Sequence, residues 1–302
     1  VIVSVVTDGK IIFCEGKETS LDYRLLNRVV DGIPGDRCTI VPAGTKFTFS
    51  IFAEGYFSSN KAVNQKYIVF RDRDFDVQPT ASCQLLQLGN RSGNRSIALT
   101  YRACVENYLL DPNLIHTYWV EKCKEKQENP KASKWGHKDS PGVDLISEWI
   151  ESSAKNLQAY QSVRWAGDLV NMSAARKQLK TAWTGNSGIL PASLELQDCK
   201  SEALGLINQF RQAVETVTPE KFEESLAMYQ NQFEQEDFWT QKQYLIWFHG
   251  KDIQKQMDLQ KEMQRQKHHY ISRAGFFEWG ITHLDITQHP DIMELRTRIE
   301  QL

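Results

Sequence analysis
The sequence lacks paired cysteines and any apolar run of membrane-spanning length. Its six cysteines (Cys14, Cys38, Cys83, Cys104, Cys123 and Cys199) are scattered singly, with no C-x-x-C pair and no framework spacing. That pattern argues against a disulfide scaffold and a zinc site, and predicts reduced, mostly buried thiols in a cytoplasmic protein. No hydrophobic stretch approaches the roughly 20 residues that a spanning helix requires, and the front of the chain shows no basic, apolar and small-residue signal. Internal repeats and low-complexity tracts are also missing. Charge of either sign is nearly balanced, with a net charge of −2 from 36 Lys and Arg against 38 Asp and Glu. The balance is uneven along the chain, because residues 191–302 carry 12 basic against 18 acidic side chains. Such a split suits a chain that meets nucleic acid with one half and a protein partner with the other, although a solvated acidic helix face produces the same count.

What is present is enough apolar residue to bury a good-sized core. At 302 residues and 41% hydrophobic, the chain is expected to hold about two domains. In KIIFCEGKETSLDYRLL (10–26) a short β-branched run ends on Glu15 and Gly16. Thr19 and Asp22 then form a capping-box pattern ahead of Leu21, Leu25, Leu26, Val29 and Val30 at helical spacing. CTIVPAG (38–44) reads as a second strand, residues 47–57 as an aromatic-rich helix, and YIVFR (67–71) as a third strand that runs into Asp72, Asp74 and Asp76. The alternation predicts an α/β fold with a mostly parallel sheet flanked by helices, in which ligands gather at the carboxyl ends of the strands. CQLLQLG and SIALTY flank the turn NRSGNRS and predict a hairpin. ACVENYLLDP predicts a short helix stopped by Pro112. Residues 121–142, lysine-rich and carrying Pro130 and Pro141, read as a linker or mobile loop. Beyond it the apolar residues fall at helical spacing: Leu145, Trp149, Ser153 and Leu157; Leu204, Ile207 and Phe210; Phe222, Leu226, Tyr229 and Phe233. These features predict an α/β domain over 1–118 and a helical domain over 119–302, the latter for substrate contact, dimerisation or partner binding.

Glu15, Asp72 and Asp74 all stand at predicted strand ends. Carboxylates brought together there repel one another unless a cation lies between them. With no His or Cys nearby in sequence, the oxygen set favours Mg²⁺ or Mn²⁺. Taken alone, an Asp-x-Asp after a strand is more often a turn or a helix cap, and Asp76 is expected to be a cap. Glu106 is a further carboxylate, either a metal ligand or base or an ordinary surface residue. Lys17 and Lys251 each follow a glycine at the start of a predicted helix, where an ammonium suits a phosphate oxygen; a solvated lysine is the alternative for Lys17 and a plain turn for Lys251. His249 reads as a structural hydrogen-bonder. Arg91 and Arg95 flank the hairpin tip and suit a phosphate backbone. The lysines of 122–138 with Trp135 interleaved suit a nucleic-acid strip. The acid-rich helix at 215–237 suits a basic partner or a second copy of itself, and ordinary packing accounts for its apolar stripe equally well.

The two acid-ended strands also carry a family likeness. IIFCEG (11–16) followed by VFRDRD (69–74), with one strand-helix unit between, resembles the TOPRIM domain of topoisomerases, primases and OLD-type nucleases. TIVPAG, YRACVENYLL and WFHGKDI resemble more narrowly the small TOPRIM effectors of the PARIS anti-phage defence system, which work with an ABC-type ATPase partner. The general motif covers about the first 118 residues; the narrower likeness spans most of the chain on shorter signatures. The resemblance implies that Glu15, Asp72 and Asp74 are the metal-binding and catalytic acids, with Glu106 and Lys251 assisting. It implies a cytoplasmic, Mg²⁺-dependent endonuclease: a toxic effector, homodimeric when active, that cleaves RNA, tRNA in this branch, when released or activated by the ATPase. A topoisomerase would need a tyrosine nucleophile in a separate domain, and nothing singles one out among the ten tyrosines. A primase would add zinc ligands, and the sequence shows no such cluster. An OLD-type DNA nuclease and a non-catalytic TOPRIM binding module remain as alternatives.

Overall fold
The run Ile11–Cys14 (β1) is β-branched and aromatic enough to form a strand buried on both faces. The structure, a computed structural model, describes residues 9–34, 38–44, 67–89, 96–133, 135–136, 139–172, 195–215 and 217–260, together with 273–302. The expected helix at 47–57 and the hairpin tip with Arg91 and Arg95 lie outside these residues. After β1 come Leu21–Val30 (α1), Thr39–Pro42 (β2), Tyr67–Arg71 (β3), Leu86–Gly89 (β4) and Ser96–Leu99 (β5). They form one five-stranded sheet in the order β2-β1-β3-β5-β4. All pairings are parallel except β4 with β5, the predicted hairpin. The α/β expectation therefore holds. Ile11, Phe13, Ala43 and Val69 form an apolar cluster on the sheet, covered by Val41, Tyr67 and Ile97.

The turn after β1 depends on a glycine. Gly16 has φ of 82°, and its N–H donates to Gly44 O at 2.7 Å, tying the ends of β1 and β2 together. A Cβ at this position would lie 2.7 Å from Ser20 Cβ. Gly16→Ala is therefore expected to cost about 1–3 kcal/mol, through positive-φ strain and collision with the start of α1. A thermal melt beside wild type checks this, and an unchanged melting temperature would mean that the turn relaxes freely.

The cap of α1 differs from the expected one. Ser20, not Thr19, is the N-cap, and its Oγ accepts from Tyr23 N at 3.3 Å. The one-residue shift releases Asp22 from capping.

Helices follow at Glu106–Leu109 (α2), Pro112–Glu128 (α3), Val143–Met172 (α4), Leu196–Glu215 (α5), Pro219–Glu234 (α6) and Glu236–Thr240 (α7). Tyr244–Trp247 (α8), Gly250–Leu259 (α9), Arg273–His283 (α10), a 3-10 turn at Ile286–Gln288 and Pro290–Glu300 (α11) complete the chain. Pro112 does stop α2, but it also opens α3, because its missing N–H costs nothing in the first turn; Asp111 caps that helix through Leu114 N at 2.9 Å. The first part of the expected linker is thus helical. Its lysines are engaged locally: Lys126 Nζ donates to the carbonyls of Pro130 and Ser133, and Lys122 pairs with Glu125 at 2.6 Å. Trp135 packs edge-on against Tyr118 and Trp119 and donates to Cys123 Sγ. The half-buried ring is thus already engaged by two aromatic neighbours.

The described chain does not divide at residue 118. One compact unit comprises 1–157 with 239–302, and the other 158–238. The C-terminal segment returns to the α/β layer through specific polar ties. Asp291, fully buried at the start of α11, accepts from Tyr101 N at 3.0 Å and from the Tyr108 hydroxyl. Arg296 donates to the carbonyls of Val29 and Asp31. In the second unit Trp165, Tyr229, Phe233 and Phe238 form an aromatic row. The expected stripes are only partly buried, since Leu145, Leu204 and Ile207 are exposed whereas Ile146, Trp149, Ser153, Tyr229 and Phe233 are covered. Of the five described free cysteines, only Cys14 and Cys104 are buried, and Cys83 is exposed.

Candidate metal centre
Parallel pairing aligns β1 and β3 so that Cys14 faces Phe70. Glu15, level with Arg71, and Asp72, one residue further on, therefore both leave the sheet at its carboxyl edge. β5 runs parallel to β3 and delivers the loop 100–105, which leads into Glu106 on α2. Asp72 is 5% exposed, and its Oδ1 accepts from Val105 N at 2.9 Å, fastening the end of β3 to that loop. Asp72, Cys104 and Glu106, all buried, offer ligand atoms within 4.8 Å of one another.

Two further acids bear on this group. Asp22, in the first turn of α1, feels the charges of Glu106 and Glu15, and Asp72 feels Asp22. Among the described residues, the Oδ1 of Asp22 is sealed from solvent and has no hydrogen-bond partner. Burial, then the charge of Glu106, raises the Asp22 carboxyl from 3.8 to about 7, with Glu15 adding to the rise and Lys251 opposing it. Asp72 is raised well above the usual range by burial first, then by Asp22 and Glu106.

Lys251 is the cation within this group. Its Nζ lies 3.4 Å from Glu106 Oε1 and 3.8 Å from Asp72 Oδ2, from the first turn of α9. Burial works to lower its pKa, but Glu106, Asp72, Cys104 and Asp22 outweigh burial and lift it above the ordinary lysine range. Lys251 is therefore a fixed positive charge at neutral pH and not a proton acceptor.

Asn107 holds Lys251 in position. Its Oδ1 accepts from Cys104 N at 3.1 Å and Gly250 N at 2.9 Å, while Nδ2 donates to Leu245 O and Phe248 O. A Cβ on Gly250 would sit 2.7 Å from Asn107 N, so only glycine lets α9 approach this closely. VENY and FHGK, far apart in sequence, thus form one clamp.

Asp74 takes a different place from its neighbour. It turns off the strand with φ of 52°, its N–H donates to Ala103 O, and its Oδ1 lies 3.3 Å from His249 Nε2. The other nitrogen of His249 is 3.5 Å from Cys104 Sγ, and Phe75 stacks on the ring. Asp74 contributes its charge to Asp72 and, like Glu15 and Asp22, stands outside the compact group of Asp72, Cys104 and Glu106. Asp76 is not a cap: its Oδ2 pairs with Arg71 at 2.7 Å, and Arg71 also donates to Asp72 O. Lys17 is exposed.

The expectation that no His or Cys lies near the acids is corrected by Cys104 and His249. Cys104 nevertheless carries a thiol, not a thiolate: burial, Glu106 and Asp72 push its pKa well above 9.0, and Sγ donates to Asn107 Oδ1 at 3.1 Å. The ready donors are oxygens, as a hard divalent cation requires. The carboxylates of Asp22, Asp72 and Glu106 bear on one lysine, and Glu15 bears in turn on Asp22. That excess of carboxyl groups over cations, two of the carboxyls buried and two half-buried, fits a divalent ion.

Asp22, Cys104 and Asn107 are absent from the sequence-based set. The orphaned position of Asp22 would have been visible only by choosing Ser20 over Thr19 as the cap. Comparison of the sequence with protein-family models finds no match, and comparison with curated proteins finds none either.

Proposed function
We propose that the chain is a metal-dependent TOPRIM nuclease whose cation is held by oxygens of Asp72, Glu106, Asp22 and Glu15 at the carboxyl edge of β1, β3 and the loop after β5. The observation that carries this reading is the excess of acids there, with Asp22 Oδ1 lacking a hydrogen-bond partner among the described residues. When bound, Mg²⁺ or Mn²⁺ withdraws charge from a phosphodiester and makes an attacking water more acidic. The chain's own groups do the rest. Lys251, held cationic by Glu106 and Asp72, binds a non-bridging phosphate oxygen as negative charge builds on it. Glu106, beside it, accepts the proton of the water once Lys251 has turned to the phosphate. Asp74 orients His249 at the rim.

RNA is the substrate in this reading, tRNA in the narrower branch, with the chain acting as a toxic effector restrained by an ATPase partner and working as a homodimer. The sequence likeness supports that part, and the restraint is what a toxic nuclease requires in an uninfected cell. The test incubates wild type, Glu15→Ala and Asp72→Asn with total cellular RNA and with plasmid DNA, each with Mg²⁺ and with EDTA. Metal-dependent loss of a discrete RNA band is expected in wild type, with each variant slower by at least about 10²-fold, the scale of losing one preorganised electrostatic group. Cleavage of DNA alone would favour the OLD-type alternative. Undiminished cleavage by both variants would remove these acids from the mechanism.

A further inference from the structure
A cavity of about 470 Å³ lies apart from the acids but shares α2 with them. Tyr108 lines the cavity, whereas Glu106 and Asn107, on the same four-residue helix, belong to the acid cluster and its clamp. Arg102 and Lys242 bring two permanent cations to its wall. Neither makes an ion pair among the described residues. Arg102 donates to Asn107 O at 2.7 Å and lies over the Tyr108 ring, and Lys242 reaches only Ser147 Oγ at 3.2 Å.

The two acids on the wall are already engaged. Asp111 accepts from Leu114 N at 2.9 Å, and Asp285 accepts from both the N–H and the hydroxyl of Thr287. Those bonds leave both carboxylates charged and the wall balanced overall, but neither cation is held in an ion pair among the described residues, so each is available to an anion. The cavity also offers flat rings. Trp279 and His283 stack with centroids 3.9 Å apart and planes 12° off parallel, and His289 stands edge-on to Tyr108 at 5.1 Å.

An inorganic anion would leave most of such a space empty, whereas sites for small organic ligands span roughly 300–1,000 Å³. Cations suit a phosphate, and a stacked aromatic pair suits a planar base. We infer that this cavity binds a nucleoside monophosphate, its phosphate on Arg102 and Lys242 and its base against the Trp279–His283 stack. The nucleotide is either a free one or an unstacked residue of an RNA strand; the recognition chemistry is the same. Arg102 also holds Asn107 O, and the Asn107 side chain holds Gly250 N, next to Lys251. A ligand on Arg102 is therefore one hydrogen bond away from the clamp that sets the lysine of the acid cluster. The binding site stands whether or not the acid cluster cleaves nucleic acid.

The test titrates the full chain, in EDTA, with AMP, GMP, CMP and UMP, with inorganic phosphate, and with a single-stranded RNA 12-mer, by calorimetry. Lys242→Ala and His283→Ala are run alongside; both residues are exposed and neither belongs to the acid cluster. At least one mononucleotide is expected to bind more tightly than inorganic phosphate, and His283→Ala to weaken it by about 5- to 100-fold, the range for a lost stacking contact. Binding of the 12-mer alone, weakened by the same two variants, identifies the nucleotide as part of an RNA strand and equally supports the site. The inference is overturned if no nucleotide or RNA binds, if both variants bind as wild type does, or if inorganic phosphate binds as tightly as the nucleotides.

Discussion
Asp22→Asn is expected to make the metal-free protein more stable and at the same time to abolish its thermal response to Mg²⁺. The two effects share one cause. In wild type the Asp22 carboxyl is forced, by burial and by Glu106 and Glu15, to ionise near 7 instead of 3.8. Above both values this weakens the folded state by at most about 4 kcal/mol, less for the part of the residue that water reaches. An amide of the same shape carries no charge, and its N–H groups suit the surrounding carboxylates. Loss of stability in the variant would mean that Asp22 is a structural acid. Gains of this kind at a cost in function are characteristic of sites that store electrostatic strain.

The same shift fixes a pH dependence. Below pH 3.8 Asp22 is protonated in the folded and unfolded chain alike, and no penalty applies. As pH rises toward 7 the unfolded chain releases this proton first, so stability without metal falls across the window from about 4 to 7 and then levels off. A divalent ion competes with protons for Asp22 and Asp72, both of which hold them more tightly than usual. The rise in melting temperature caused by Mg²⁺ should therefore be larger at pH 8 than at pH 6, and equal rises at the two pH values would contradict the account.

Arg73→Met is expected to lower stability by about 3 kcal/mol or more without touching an acid, which makes it the largest effect outside the site. Arg73 lies between Asp72 and Asp74 yet is fully buried. Its guanidinium donates to Tyr101 O at 3.1 Å, Val77 O at 2.7 Å and Ile246 O at 2.6 Å, joining the loops after β3 and β5 to α8. Methionine fills much of the volume and satisfies none of the three carbonyls. Burial draws the Arg73 pKa down to about 10, so the group remains charged at neutral pH. Urea denaturation measures the loss, and a variant within about 0.5 kcal/mol of wild type, the range of ordinary surface substitutions, would show that water replaces the guanidinium.

Arg73 also illustrates what local sequence can and cannot reveal. The strands were legible because Ile11–Cys14, Thr39–Pro42 and Tyr67–Arg71 are short, β-branched and bounded by turn residues. Glu15 and Asp72 were legible because a carboxylate closing such a strand is unusual in two places at once. An arginine within an acidic turn looks solvated, and only the return of residues 239–302 to the α/β layer buries it. Asn107 and Gly250 bond across 143 positions, and nothing local to either marks the contact. Asp22 was misread for a smaller reason: Thr19 and Ser20 both cap helices well, and choosing between them rotates every side chain of the first turn.

The most direct test of the central claim is a Mn²⁺ titration of the purified chain followed by electron paramagnetic resonance, with wild type, Asp22→Asn and Asp72→Asn compared at pH 8. The account predicts saturable binding to wild type, competed by Mg²⁺, and at least about a tenfold loss of affinity in each variant, the lower end of what losing even a supporting group at a metal site costs. Wild type that leaves the free Mn²⁺ signal undiminished, or variants that bind as it does, would contradict a metal centre built on these acids.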